Sequence, residues 1–313
     1  MPGIAVVSNP RSRRNRRDPA LSGQMSYMLG KKGKLAQPST RDELVQQARQ
    51  FRDDGVDIVA VNGGDGTLHV VLTAFIEAYD GAPIPPVAIL RGGTMNTIAR
   101  GLGILGTPPE ILSALLLRYH TDQPLPLAER TIMKVEGGEK PEYGFLFGNG
   151  ILSNFLQEHY AMSDPSPLSA AILLGRAVLS ALVGGQLVQR IARPAICEVE
   201  VDGEKWPGNR FLAVAAGSVD DIGFGFRPFY ESLRHPGRLH ALGFACGPVA
   251  LVRALPRIRM ALPIDDPEIY SAVPTRMVLR GEQPIPVMID GDFHPAGQVV
   301  TVSSGPRVRF VLP

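Results

Sequence analysis

The sequence predicts an α/β + β protein: an N-terminal α/β domain on a parallel sheet, then a mostly antiparallel β-sandwich domain with inserted helices. Three observations predict it. The first part of the chain alternates strand-like apolar runs with helical patterns, as a parallel sheet with crossover helices requires. Two of those strands end in glycine-rich corners, Gly63-Gly64-Asp65-Gly66-Thr67 and Arg91-Gly92-Gly93-Thr94-Met95-Asn96. Past Pro124 the pattern changes to short strands bounded by Gly, Pro or Asp. The division is expected near residue 125, giving domains 1–125 and 126–313, with the final strands as candidates to return toward the first.

Taken in order, Gly3–Ser8 reads as a strand and Ala20–Leu29 as a helix. Arg41–Asp53 is a clearer helix, because Ser39 or Thr40 can cap it and Leu44, Ala48 and Phe51 fall on one face. Asp57–Val61 is a strand, Leu68–Tyr79 a helix and Val87–Leu90 a strand. In the second half Thr131–Val135, Tyr143–Gly148, Ile196–Val201, Phe211–Ala216, Arg276–Leu279, Pro286–Ile289, Val299–Val302 and Val308–Leu312 read as strands. Ile151–Met162 and Leu168–Ile191 read as helices.

With 313 residues, 44% of them hydrophobic, the chain can bury a full core. A net charge of +2 produces no global field, so nucleic acid is not an expected partner. Basic character is local, in Arg11–Arg17 and in Arg253, Arg257 and Arg259; each cluster is either a solvated segment or a contact for phosphates or anionic lipid. Two cysteines make neither a disulfide framework nor a structural zinc site, and they fit a reducing, cytoplasmic setting. The N-terminus does not read as a secretory signal, and no apolar run is long enough to span a bilayer.

Chemistry concentrates at the Gly63–Thr67 corner. Strand, glycine loop and helix start are the layout that holds phosphate, because glycine lets the backbone approach and the first N–H groups of a helix favour negative charge. Asp65 is the odd member: a carboxylate beside phosphate implies a divalent cation or a hydroxyl to deprotonate. The competing reading is a tight turn with Thr67 as cap and Asp65 on the helix dipole. A literal G-x-G-x-x-G (Gly101, Gly103, Gly106) follows a helix and runs into Pro108-Pro109, the wrong context for a dinucleotide site. Gly101 instead ends the preceding helix. There is no G-x-x-x-x-G-K-[ST] motif. Asp290-Gly291-Asp292 sits at a strand end and reads, on its own, as an ordinary turn, like Asp202-Gly203-Glu204. The histidines lack metal-ligand spacing, although His69 follows the first corner closely enough to reach it. The apolar Leu168–Ile191 stretch reads as a core helix, with a lipid-facing helix as the alternative.

Together these motifs resemble the diacylglycerol kinase catalytic domain family, shared with sphingosine, ceramide and bacterial lipid kinases and distantly with NAD kinases. Gly63-Gly64-Asp65-Gly66-Thr67 is similar to its signature loop, Ser8-Asn9-Pro10 to its opening segment, and Gly93-Thr94-Met95-Asn96 with Ala99-Arg100 to its second loop. Phe211–Gly225 resembles a glycine-rich strand segment, and Asp290-Gly291-Asp292 stands where the family has D-G-E. The resemblance implies ATP and Mg²⁺ between two domains and a lipid hydroxyl, of diacylglycerol or sphingoid type, as acceptor at a membrane surface. It implies phosphate contacts from Gly63, Gly64, Gly66 and Thr67, with Thr94 and Asn96 close by and Asn9, Asp65, Gly93 and Asp292 in the nucleotide site. Asp290 is the implied base, Asp65 the alternative base and a candidate metal ligand.

The chain also departs from that pattern. Thr97 replaces an aspartate, His69-Val70 replaces Asn-Glu, Gln37-Pro38 replaces a threonine pair, and Pro126 stands where an acid is usual. His235–His240 replaces an acidic segment linked to structural Mg²⁺, and Asp292 shortens a glutamate. Three functions follow: a lipid kinase peripheral to the membrane, a nucleotide-binding module without transfer, or a kinase for a soluble hydroxyl compound. An exposed edge strand makes a homodimer a candidate assembly.

Overall fold

The computed structural model describes residues 3–30, 33–162 and 166–312. The chain divides into two compact units, Met1–Arg130 with Arg307–Pro313, and Thr131–Pro306.

The first unit is built on a parallel sheet. Its strands run Lys34–Ala36, Ile4–Ser8, Ile58–Asn62 and Val87–Ile89, with Phe310 of the last strand opposite Val87. Such sheets are covered on both faces, so their strands are apolar without alternation. Ile4–Ser8 and Ile58–Asn62 are indeed buried at every residue. Helix Arg41–Asp53 starts where Thr40 accepts the Glu43 N–H at 3.2 Å, and buries Leu44, Val45, Ala48 and Phe51. It packs against helix Asp65–Tyr79, with the Phe51 and Phe75 rings 6.3 Å apart. Truncating a fully buried Phe51 to Ala would cost about 3–5 kcal/mol by cavity formation.

The second unit is a sandwich. Its six-stranded antiparallel sheet runs Ile269–Ala272, His240–Phe244, Ala213–Gly217, Leu146–Gly148, Val287–Ile289 and Asp292–His294. Its other sheet includes Glu204–Lys205, Glu198–Val201, Arg276–Arg280 and the first residues of Val299–Val311, also antiparallel. One core lies between them, joining Phe147, Val214, Ala216 and Ile289 to Val199, Met277, Leu279 and Val300. Alternate residues of the six-stranded sheet point the other way. Ala213, Ala215, Leu242 and Phe244 pack on Ala254 and Ile258 of helix Pro248–Arg259, the period-2 division of a sheet covered on both sides.

Several expected elements change. Leu168–Ile191 is two helices, Pro167–Val183 and Gln186–Ile191, because Gly184 adopts φ 67° and caps the first through Ser180. Val299–Val302 and Val308–Leu312 are one strand, Val299–Val311. Helix Pro108–His120, with its Thr107–Glu110 capping box, is an addition to the expected elements. So are helix Pro248–Arg259 and strands His240–Phe244 and Ile269–Ala272.

Candidate active site

Both glycine corners lie at the carboxyl ends of parallel strands in the first unit, the edge where open α/β sheets bind ligands. After Ile58–Asn62 the helix begins at Asp65, earlier than expected, with Gly64 as N-cap and no side chain capping it. The first-turn N–H groups of a helix have no intrahelical acceptor, so this end suits an anion. The second corner follows Val87–Ile89 and leads into helix Thr97–Gly101, with Arg91 and Asn96 in the left-handed region at φ 57° and 48°. Asn96 stabilises that path: its Oδ1 accepts the Gly93 N–H at 3.1 Å and its Nδ2 donates to the Gly93 carbonyl at 3.0 Å.

The two corners stand back to back, and glycine is required by closeness. A Cβ on Gly93 would lie 2.2 Å from the Gly64 Cα, and one on Gly92 would lie 2.4 Å from the Asn62 Oδ1. Asp65 ties the corners together, its Oδ2 accepting the Thr97 N–H at 3.0 Å and its Oδ1 the Ile98 N–H at 3.2 Å. These bonds cap helix Thr97–Gly101, whose own N-cap residue Asn96 makes no capping bond.

Thr67 lies inside the first helical turn, so it is not the cap that the competing turn reading assigned to it. Its hydroxyl accepts the Asn9 Nδ2 at 2.9 Å. Asn9 also accepts the Arg11 N–H through Oδ1 at 2.9 Å. Beneath lies a polar network absent from the expected site. Asn62 Nδ2 donates to Ser8 Oγ and Asn15 Oδ1, both at 3.0 Å, and Asn15 Nδ2 donates to the Asn9 carbonyl at 2.6 Å. Its one signal in the sequence is an asparagine closing an apolar strand. The arginine-rich segment is helical at Arg13–Arg17 and meets the second corner through Arg14 N–H to the Gly92 carbonyl, 3.4 Å. Thr94 is exposed at the loop tip. His69, near the start of helix Asp65–Tyr79, is fully buried.

Asp290 and Asp292 belong to the second unit. Ile289 pairs with Asp292, leaving Asp290-Gly291 as a two-residue hairpin loop with φ 50° and 91°, the combination that a tight turn of matching twist demands. The Asp290 carboxylate is held at one place, accepting Leu146 N–H at 2.8 Å and Phe145 N–H at 3.0 Å through Oδ1. Tyr160 reaches the turn from helix Ile151–Tyr160, donating its hydroxyl to the Gly291 carbonyl at 2.8 Å, with its ring edge-on to Phe293. Burial first, and the Asp292 charge second, raise the Tyr160 hydroxyl above its ordinary value, keeping it a neutral donor.

Residues 3–124 match the family model described as diacylglycerol kinase catalytic domain. That segment is similar to this family. Curated relatives agree in kind. The chain is 26% identical over 250 residues to the lipid kinase YegS of Escherichia coli strain K12, covering 79% of this chain and 74% of that protein. It is 29% identical over 181 residues to the probable lipid kinase YegS of Salmonella arizonae, covering 58% of this chain and 53% of that protein. The fold is similar to that of a diacylglycerol kinase from Bacillus anthracis strain Sterne, with TM-score 0.65 and 13% identity over 100% of this chain and 97% of that one.

Thr97, the departure from the family's aspartate, is buried and offers its N–H to Asp65. In the second unit, at the His235–His240 segment, Glu231 pairs with Arg234 at 3.0 Å and with His235 at 3.3 Å. His240 is fully buried on Ser271 Oγ at 3.0 Å, and burial pushes its imidazole down to about 4. Burial pushes both Cys197 and Cys246 up to about 11, so neither thiol is a nucleophile at neutral pH. No helix among the described residues is long and apolar enough to cross a membrane.

Proposed function

We propose that the protein is an ATP- and Mg²⁺-dependent lipid kinase that transfers the γ-phosphoryl group to a lipid hydroxyl, of diacylglycerol or sphingoid type. The observation that carries the reading is the pair of corners locked back to back, Gly64 against Gly93, at an uncapped helix start. Those corners leave no room for side chains between them and present backbone donors, which suits a polyphosphate rather than a bulky apolar ligand.

The phosphates would lie on Gly63, Gly64, Gly66 and Thr67, with Gly93, Thr94 and Asn96 beside them. Asn9 orients the Thr67 hydroxyl. Two backbone N–H donors hold the Asp65 carboxylate beside the first corner. A carboxylate so placed fits an ion carried largely by phosphate and water oxygens, with Asp65 as the protein ligand. Bound there, Mg²⁺ would supply charge neutralisation at the phosphates. Asp290 is the base: it takes the proton of the acceptor hydroxyl as that oxygen bonds to the γ-phosphorus, and ADP leaves with the electrons of the broken P–O bond. Positioning carries the rest, and the Leu146 and Phe145 N–H groups hold Asp290 for it.

The test is transfer of labelled phosphate from ATP with Mg²⁺ to a mixed lipid extract in detergent, run beside Asp290→Asn. Labelled lipid that falls by roughly a hundredfold or more in the variant, with ATP binding retained, is expected. ATP binding with no labelled lipid would instead favour the module that binds nucleotide without transfer. Activity on a water-soluble alcohol, independent of detergent, would favour the soluble acceptor.

A further inference from the structure

Helix Pro167–Val183 of the second unit presents one face to its own core and an opposite face that no described residue covers. Ala170, Leu173, Ala177 and Ala181 are buried. Leu168, Ile172, Leu179, Leu182 and Val183 are 71%, 52%, 66%, 57% and 81% exposed. Their helical spacing places them in a single stripe with Ala171 and Gly175, and Arg176 is the only charged residue in the helix. Five large apolar side chains in one row are more than the scattered apolar exposure of ordinary surfaces.

Charge decides what the stripe fits. Helix Pro248–Arg259 packs beside it and carries exposed Arg253, Arg257 and Arg259, and neither helix contains an acidic residue. Arg257 and Arg259 donate to the Pro263 and Phe224 carbonyls at 2.6 and 2.8 Å. Exposed Met260 and Leu262 continue the apolar surface past that helix. A second copy across a two-fold axis would set these arginines against their own kind, a repulsive arrangement. A bilayer surface with anionic headgroups satisfies both halves, taking apolar side chains into the acyl boundary and arginine heads at phosphate level.

We infer that helix Pro167–Val183 lies in the plane of an anionic bilayer surface, with the Arg176 and Arg253–Arg259 guanidinium groups on lipid phosphates. The lipid-kinase reading supplies the purpose of such docking, but the docking itself involves no turnover. It would hold the enzyme where a lipid acceptor resides, and no nucleotide is needed for it.

Flotation of the full chain with phosphatidylcholine vesicles, with and without about one third phosphatidylglycerol, tests this. The parent is expected to float with anionic vesicles and to be released by high salt. Leu179→Glu with Val183→Glu, at exposed positions, should weaken binding roughly tenfold or more, while thermal melting and ATP binding stay at parental values. Arg253→Gln with Arg257→Gln should erase the preference for phosphatidylglycerol. A parent that ignores both vesicles, or glutamate variants that float as well as the parent, would overturn the inference. So would a parental dimer that the glutamate pair dissociates without any vesicle binding, which would make the stripe a subunit seam. Vesicle binding alongside absent phosphoryl transfer would leave the docking standing and remove the kinase reading alone.

Discussion

Replacing Gly93 with alanine inserts one methyl group where two backbone corners touch. Its Cβ would stand 2.2 Å from the Gly64 Cα and 2.9 Å from the Gly64 N. Ordinary contact begins at 3.4 Å, so the corners would have to part by about 1.2 Å, the difference of the two distances. The obstructing atoms are backbone, so no rotamer change relieves them. Parting also stretches the Asp65 bonds to Thr97 and Ile98, now 3.0 and 3.2 Å, beyond hydrogen-bond length. Overpacking costs about 1–3 kcal/mol and a lost cap about 0.5–2, so we expect a destabilisation of about 2–4 kcal/mol. On the proposed nucleotide reading, ATP affinity should fall roughly tenfold or more, because both corners move. Gly101→Ala is the control: nothing lies within 4 Å of its added methyl, and it ends a helix at ordinary φ, so it should be neutral or stabilising by about 0.5 kcal/mol. Urea unfolding and calorimetric ATP titration measure both quantities. A Gly93→Ala protein with parental stability and ATP affinity within about twofold would refute the close-approach argument.

Asp65→Ala should destabilise the first unit by about 1–2 kcal/mol and speed amide exchange at Thr97 and Ile98, because both N–H groups lose their acceptor. Unchanged exchange at those two amides would show that the cap is not made in solution. His240 predicts an acid limit in the second unit. Its folded value, about 4, lies below the ordinary 6.5, so between these pH values the unfolded chain binds a proton that the folded chain does not. Stability is then complete above pH 6.5 and falls as pH drops toward 4, by about 3 kcal/mol at most. Denaturant midpoints of the parent and His240→Gln across that window should converge at acid pH; parallel curves would contradict it.

The parallel half of the fold was legible because its signals are local. Continuous apolar runs at Ile4–Val7 and Ile58–Val61, the second ending in a glycine corner, describe strands covered on both faces, whatever the rest of the chain does. The second unit was less legible. His240–Phe244 is buried at every residue, has a glycine inside and shows no alternation, so nothing in it marks a strand until Ala213–Gly217 pairs with it. Helix Pro108–His120 carried an unread signal, the Thr107-Pro108-Pro109-Glu110 capping pattern. Gly184-Gly185 was visible inside the long apolar stretch, and the positive φ of Gly184 is what divides it into two helices.

For the site, residue types and spacing alone marked two glycine corners and an Asp-Gly turn near the end, because close backbone approach and tight turns permit few other residues. The family resemblance, not the spacing, singled out Asn9 and Asp290. Tertiary structure decided the assignments. Asp65 caps a helix more than thirty positions along the chain, Asn62 and Asn15 brace Asn9 from below, and Asp290 is aimed by the N–H groups of Phe145 and Leu146. A carboxylate or amide has the same letter whether it faces a ligand or a backbone donor. Which of these it meets depends on residues distant in sequence, and only the packed chain brings them within hydrogen-bond reach.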